Sequence, residues 1–322
     1  MIGNFPNFIN IIGEHTVYVN PLPQLRSRHG KFPGMVQLPS NELLCLFELG
    51  EAFESVDSET YITRSGDLGI TWTLQGPLYD MKQLPINCKV SETMKPTLLK
   101  NGQLIAIGYR YDRSNPDLPI GNPETGGLLP GRDIVSFSID SGLTWSVPAV
   151  IETGCPELLE VSGPCLELES GELLALGTPF KCWDGSNPTG QCGFLLRSKD
   201  GGKIWDCSTK FFDLQGLVTP WESRLCQMPD GCLVTISWCY DLKKDQSLSN
   251  HVVFSHDNGY TWSKPLDTGI MAQASNLLAI EDNKLLAIHA HRSGQIGLAV
   301  RLVDIHDDKW MVLAEEFGSS GK

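Results

Sequence analysis

An all-β chain folded as a β-propeller of four-stranded antiparallel blades is what this sequence predicts, on three observations. An octet, Ser-x-Asp-x-Gly-x-Thr-Trp, recurs at Ser65 to Trp72, Ser138 to Trp145 and Ser255 to Trp262. A fourth copy, Ser198 to Trp205, carries Ile204 in place of Thr, and a fifth, Val303 to Trp310, keeps only the Trp. Ahead of each copy lies an apolar strand, a turn rich in Asn, Asp or Ser, and a Leu-rich strand; these units begin near Phe32, Met94, Ser162, Trp221 and Gln273. No segment has helical periodicity. Four-stranded units repeating about every 50 to 70 residues mark a propeller, because one meander cannot bury its apolar faces alone.

The elements follow in order. Each octet is a hairpin turn: Asp and Gly take the tight or left-handed positions, the Asp carboxylate bonds turn amides, and the Trp packs the turn onto its neighbour. Its aspartates are therefore structural. Residues 32–317 form the repeats of a single domain, with an N-terminal segment at 1–31 and a tail at 318–322. The unit starts leave about 58 residues per unit for five units, whereas six blades of that size need about 350 residues. Five repeats are read, and six blades are reached only if the N-terminal segment helps to build another. Its expected use is a closing strand on the last blade.

Composition narrows the function. The 322 residues carry 38 acidic and 25 basic side chains, a formal net charge of −13, with 41% hydrophobic residues. Disorder needs fewer apolar residues. A nucleic-acid partner needs a basic domain. A membrane span needs about 20 consecutive apolar residues, and no such run occurs. The first residues lack a signal-peptide pattern, no glycosylation sequon occurs, and the ten cysteines form no CxxC pair and sit in strand-like runs. Buried thiols in a reducing cytoplasm are expected. His289 and His291 alternate on one strand without an obvious third ligand. No nucleotide fingerprint is present. No metal and no cofactor are expected.

In a meander blade the octets, as turns between third and fourth strands, lie on the bottom face. The top face is built by the loops between strands 2 and 3 and between blades, where sites usually sit. It would gather Arg28, His29 and Lys31 from the first unit, then Glu54 and Asp57, then Arg110 and Asp112. Trp183, Asp184, Tyr240, His291 and Arg292 follow from later loops, and the connections between blades add Lys95, Glu157, Glu160, Trp221, Glu222, Arg224 and Asn276. Aromatics mixed with carboxylates and guanidinium groups suit a sugar: rings stack on its apolar face and polar groups bond its hydroxyls. A small carbohydrate ligand is the expected partner, with neither nucleic acid nor membrane.

The repeated octet is similar to the Asp-box, and the chain resembles the sialidase superfamily of Asp-box propellers over residues 30 to 317. That resemblance implies an arginine clamp for a carboxylate, a tyrosine nucleophile paired with a glutamate, and an aspartate acid/base; sialidases depart in this from the two-carboxylate glycosidase scheme. Trp221-Glu222-Ser223-Arg224 matches the family's Glu-bearing strand, and the loop with Glu54 and Asp57 stands where the acid/base aspartate belongs. Lys31-Phe32-Pro33 replaces the first family arginine by lysine, Trp238-Cys239-Tyr240 stands where the second is expected, and Gln295 replaces the third. The sixth repeat that would supply the tyrosine is not found. Arg28, Arg110, Arg224 and Arg292 offer a different clamp, and Tyr240 a relocated nucleophile.

The expectation is a sialidase-like exo-glycosidase working at the central top-face pocket on a sugar that need not be sialic acid. Its catalytic candidates are Glu222, Asp57 and Tyr240. Its substrate-binding candidates are Arg28, His29, Lys31, Lys95, Arg110, Asp112, Trp183, Asp184, Trp221, Arg224, Asn276, His291 and Arg292. The alternative is a non-catalytic carbohydrate-binding or scaffold propeller.

Overall fold

The computed structural model describes residues 8–85 and 88–318. Five antiparallel sheets follow one another along the chain. Blade 1 is β1 (His29–Gln37), β2 (Leu43–Gly50), β3 (Glu59–Ser65) and β4 (Thr73–Pro77); blade 2 is β5 (Val90–Leu98), β6 (Leu104–Asp112), β7 (Gly131–Ser138) and β8 (Ala149–Ile151). Blade 3 is β9 (Leu166–Glu167), β10 (Leu173–Gly177), β11 (Cys192–Ser198) and β12 (Asp206–Asp213). Blade 4 is β13 (Val218–Gln227), β14 (Leu233–Asp241), β16 (His251–Ser255) and β17 (Leu266–Asp267), with β15 (Gln246–Ser247) added to β14. Blade 5 is β18 (Gln273–Glu281), β19 (Lys284–His291), β20 (Gly297–His306) and β21 (Lys309–Phe317). The repeats thus fold as a β-propeller of four-stranded blades, five in number.

All four octets form the predicted turn. In the second, Asp140 accepts from Thr144 N at 2.9 Å and from Ser138 Oγ at 2.8 Å, while Trp145 Nε1 donates to Gly142 O at 3.1 Å. The copy with Ile204 keeps the amide bond to Asp200 at 2.9 Å and forgoes the hydroxyl bond. Two of the turns also accept an arginine from the preceding blade: Arg64 of β3 donates to Ser141 O in the octet Ser138–Trp145, and Arg197 of β11 to Asn258 O, 2.6 Å away, in the octet Ser255–Trp262. In blade 5 a two-residue turn replaces the octet, with Asp307 and Asp308 both left-handed (φ 50° and 54°). Asp tolerates that conformation better than most residues.

Apolar cores hold consecutive blades together. Leu46 and Ile62 meet Met94 and Ile134 between blades 1 and 2, and Ile105 and Ile107 meet Ala175 and Leu196 between 2 and 3. Leu174 and Leu176 meet Leu233 and Val253 between 3 and 4, and Val234 and Phe254 meet Leu277 and Ala287 between 4 and 5. Among the described residues no such core joins blade 5 to blade 1. The free side of blade 1, Cys45, Phe47 and Leu49, is covered instead by Val17 and Tyr18, whose ring lies 5.7 Å from that of Phe47.

This corrects the expectation of a closing strand. Residues 8–28 form no strand, and blade 5 draws all four of its strands from 273–317. Residues 1–7 of the segment lie outside the described residues. Of the segment's apolar residues Val17 and Tyr18 pack on blade 1, while Ile11, Ile12, Val19, Leu22 and Leu25 are exposed.

Candidate functional site

The innermost strands start at the top face and run down the axis. In β1, β13 and β18 the pairing register slips at a bulge, between Lys31 and Gly34, Trp221 and Arg224, and Gln273 and Ser275. Each bulge holds one left-handed residue: Phe32 (φ 51°), Glu222 (φ 48°) and Ala274 (φ 47°). A bulge re-aims its side chain, so these repeat-equivalent positions share a backbone device, and Glu222 is the one of the three that is ionisable. The matching position in β5 is Lys95, on a regular register.

Glu222, Lys95, Arg224 and Glu160 form one charge cluster. The Glu222 backbone N–H donates to Glu160 Oε2 at 2.9 Å, across the seam between blades 3 and 4. Oε2 of Glu222 is buried without a hydrogen-bond partner. Arg224 Nη1 lies 3.2 Å from Ser162 Oγ and 3.0 Å from Ser223 O. Among the described residues its Nη2 and Nε make no hydrogen bond, so that edge of the guanidinium remains available. Lys95 is buried, donates to Thr93 Oγ1 at 3.0 Å and lies 5.9 Å from the centre of the Phe32 ring. Its stem crosses blade 1 at Gly34, where a Cβ would stand 2.7 Å from Lys95 Cδ; glycine is what lets the two blades close there.

Proton affinities divide within this cluster. Enclosure by protein, and next the Glu222 carboxylate, push Glu160 up to about 8. Its side chain is only half-buried, so surrounding protein rather than complete loss of water supplies the desolvation. Burial, and next the Arg224 guanidinium, push Lys95 down to about 7. Glu160 therefore holds a proton at neutral pH beside a second carboxyl group, the division that acid/base chemistry needs. Nearby, burial pushes Glu92 up to about 7 although the Tyr79 hydroxyl donates to it at 2.9 Å.

A row of rings flanks the cluster. Tyr111 and Tyr109 have centroids 5.6 Å apart, Tyr109 and Phe180 5.7 Å, and Phe180 stacks on Trp221 at 5.3 Å and 29°. The row thus crosses blades 2, 3 and 4. Gly127 permits it: a Cβ there would fall 1.8 Å from Cys182 O, because the long loop of blade 2 lies directly on the Phe180–Trp183 loop. Outside Phe180 a cleft of about 540 Å³ opens between blades 2 and 3, lined among others by Asp133, Glu157, Phe180 and Trp183.

The structure brings together Lys95, Trp221, Glu222 and Arg224 of the expected residues, sets Lys31 beside them through Glu48 and the Phe32–Phe53 ring pair, and disperses the others. Lys31 spends all three donors, on Glu48 Oε1 at 2.8 Å, Ala52 O at 2.7 Å and Ser58 Oγ at 3.1 Å. Asp57 pairs with Arg28 at 2.7 Å and accepts from Glu51 N at 3.0 Å and Ser55 Oγ at 2.7 Å. Burial opposes its ionisation, but those bonds outweigh it and hold the carboxyl below its ordinary range. Asp57 shapes a loop and is not poised as an acid. His29 bonds Ser27, Asp112 caps Ser114, and Asp184 caps Ser186. Arg110 stands opposite Glu92 in the β5–β6 ladder. Trp183 packs with Tyr111, Ile120 and Leu129.

Tyr240 donates to Asp245 at 2.8 Å, and that bond raises the phenol's proton affinity. A nucleophile needs the opposite, and the bond to Asp245 engages the hydroxyl that a relocated nucleophile would use. Asn276 is exposed on the outward face of β18, and Arg292 is exposed beyond β19. His291 packs between Arg301, 3.4 Å away, and the Phe317 ring. Arg28, Arg110, Arg224 and Arg292 share no partner and make no clamp. The residues that sequence reasoning undervalued are Glu160, Tyr109 and Phe180. Glu160 carried one signal, its place two residues ahead of the unit opening at Ser162.

The solved structures most similar in shape include an uncharacterised protein from Dyadobacter fermentans (TM-score 0.69, 18% identity, over 90% of this chain and 81% of that one). The NanB sialidase of Streptococcus pneumoniae aligns with TM-score 0.64 and 12% identity, over 94% of this chain and 63% of its own. A Penicillium chrysogenum alpha-L-arabinanase, solved with arabinobiose, aligns with TM-score 0.60 and 15% identity, over 88% and 80%. The fold is shared with glycoside hydrolases. At these identities the likeness concerns the fold alone. No family model matches the chain, and no curated protein matches it.

Proposed function

We propose that this protein is a glycoside hydrolase, and that Glu160 and Glu222 are its paired carboxyl groups. The observation that carries the reading is the Glu160 carboxyl, pushed up to about 8, accepting the Glu222 backbone N–H beside Arg224, Lys95 and a row of rings. In this scheme Glu160 gives its proton to the glycosidic oxygen as the bond breaks. Glu222, with its unpartnered oxygen, faces the positive charge that develops on the sugar. The free edge of Arg224 bonds a substrate hydroxyl or carboxylate, and Phe180 and Trp221 take the sugar's apolar face. The octets are read as Asp-boxes, and the protein as a member of the sialidase-like propellers.

The competing reading is a sugar-binding propeller without turnover, favoured by the commitment of Lys31 and Arg28 to internal ion pairs. A panel of chromogenic glycosides, sialoside and arabinoside included, separates the two. Turnover by the wild type that drops at least about 100-fold in Glu160→Gln and Glu222→Gln supports hydrolysis. Turnover untouched by both substitutions sinks the assignment, and glycan binding without turnover selects the competing reading.

A further inference from the structure

The apolar core between blades 2 and 3 contains Cys192 and Cys207, and Cys155 packs against it. The thiols of Cys155 and Cys207 hydrogen-bond to each other, whereas Cys192 faces the Thr189 and Gly190 carbonyls at 3.8 Å. Access separates the bonded pair. Cys207, on β12, is buried, while Cys155 is half-buried and lines the cleft of about 540 Å³ between the two blades. The chain is anchored on either side of Cys155: Ile151 ends β8, and Glu157 accepts from Thr189 N at 2.8 Å. Between these anchors Gly154 is left-handed (φ 74°), and nothing lies within 4 Å of where its Cβ would stand. The turn that carries Cys155 is thus loosely packed. The bond from Cys207 holds the Cys155 thiol below the ordinary thiol range, against burial and the Glu157 carboxylate, and the same bond pushes Cys207 up. The thiolate is the reactive form of cysteine, and an accessible sulfur of low proton affinity beside a second thiol is what oxidants select.

We propose that Cys155 and Cys207 are a dithiol site for hydroperoxides, with Cys155 as the attacking thiol at the cleft and Cys207 as the resolving thiol behind it. The Cys155 sulfur attacks one oxygen of the hydroperoxide. An S–O bond forms, the O–O bond breaks, and the departing oxygen takes the electron pair and the thiol's proton, leaving as water or an alcohol. Cys155 is then a sulfenic acid. The Cys207 sulfur attacks it next: the S–S bond forms, the S–O bond breaks, and the hydroxyl leaves with the Cys207 proton as water. Two thiols are oxidised to one disulfide, and one hydroperoxide is reduced. Geometry favours the second step. A disulfide needs its sulfurs about 2.05 Å apart; the two thiols are already in contact, and the loose turn at Gly154 gives Cys155 the freedom to close the remaining gap. The bond ties the connection between blades 2 and 3, which carries Glu160, to the outermost strand of blade 3. The inference does not rest on the proposed hydrolase activity, because both thiols lie outside the charge cluster and the chemistry is read without any glycoside.

Hydrogen peroxide in small excess over the reduced, folded chain tests it, with alkylation, digestion and mass spectrometry as the readout. The wild type is expected to lose two of its ten free thiols. Its digest should contain one crosslinked pair, the Cys155 peptide with the Cys207 peptide, which dithiothreitol reverses. Cys155→Ser is expected to slow thiol loss at least about tenfold. Cys207→Ser should leave Cys155 as a sulfenic acid that dimedone captures. Cys207 is buried, so that variant is read only if its circular dichroism matches the wild type; the wild-type peptide map and Cys155→Ser decide the matter without it. A wild type that keeps all its thiols overturns the inference. So does oxidation of the exposed Cys88 ahead of Cys155, or a crosslink that joins Cys155 to Cys182 or Cys192.

Discussion

Replacing Glu160 by Gln tests the electrostatics of the cluster without any substrate. Gln keeps the shape and an oxygen able to accept the Glu222 N–H bond, and it removes only the ionisable proton. The Glu160 carboxyl is raised from 4.5 to about 8 in the folded protein. A raised affinity means that the native state holds the proton while the unfolded chain releases it above 4.5. The associated stability is present in full below that pH and is lost as pH climbs through about 8. Each tenfold change in proton affinity is worth about 1.4 kcal/mol, which would put the loss near 4–5 kcal/mol. The group is half-buried and partly screened, so about 2–3 kcal/mol is the working figure. Glu160→Gln should therefore be nearly neutral at pH 4 and stabilising by that amount at pH 9, or several degrees in midpoint. Scanning calorimetry of both proteins at pH 4, 7 and 9 measures the difference directly. A gap that does not grow with pH refutes the raised affinity, and with it the role of Glu160 as a protonated acid.

Four further outcomes follow from the contacts described. Lys31→Met strands the buried Glu48 carboxylate, so chemical denaturation should show a loss of about 3–5 kcal/mol. Asp140→Asn weakens the Thr144 and Ser138 bonds of the second octet and should cost about 1–2 kcal/mol. Because those bonds, Thr144 foremost, hold Asp140 down to about 2, the stabilisation is present above the ordinary 3.8 and vanishes as pH falls through about 2, which acid titration of the two proteins measures. Tyr240→Phe removes only the bond to Asp245, so kcat on any substrate found should stay within about twofold. Among the described residues blade 5 shares an apolar core with blade 4 alone, so amides of β19 and β20 should exchange hydrogen faster than those of β14 and β6, as mass spectrometry of exchanged peptides reports.

The fold was legible because its signals are local. Asp, Gly and Trp at fixed offsets dictate one turn, and the turn dictates where the third strand ends and the fourth begins. The place of Glu222 at the opening of an inner strand was legible for the same reason, and its proposed role rests on that place. Glu160 and Phe180 were not, because their role arises from contact between blades: Glu160 meets Glu222 across 62 residues of sequence, and Phe180 meets Tyr109 only where two long loops lie on each other. Asp57 and Tyr240 misled in the opposite way. Both have chemically suitable groups in suitable loops, and both are consumed by neighbours a few residues away, Ser55 and Asp245. The N-terminal segment was expected as a closing strand from the residues available per blade and not from any pattern of its own, and residues 8–28 form no strand.

The charge cluster also belongs to no single blade. Lys95 leaves blade 2 and lies over Gly34 of blade 1, and Arg224 leaves blade 4 and lies within 3.5 Å of where a Gly163 side chain would begin. In both cases a cation from an even blade fills a notch that glycine leaves in the odd blade before it. Two closed seams, 1–2 and 3–4, thus deliver Lys95 and Arg224, and the second also aligns Glu160 with Glu222.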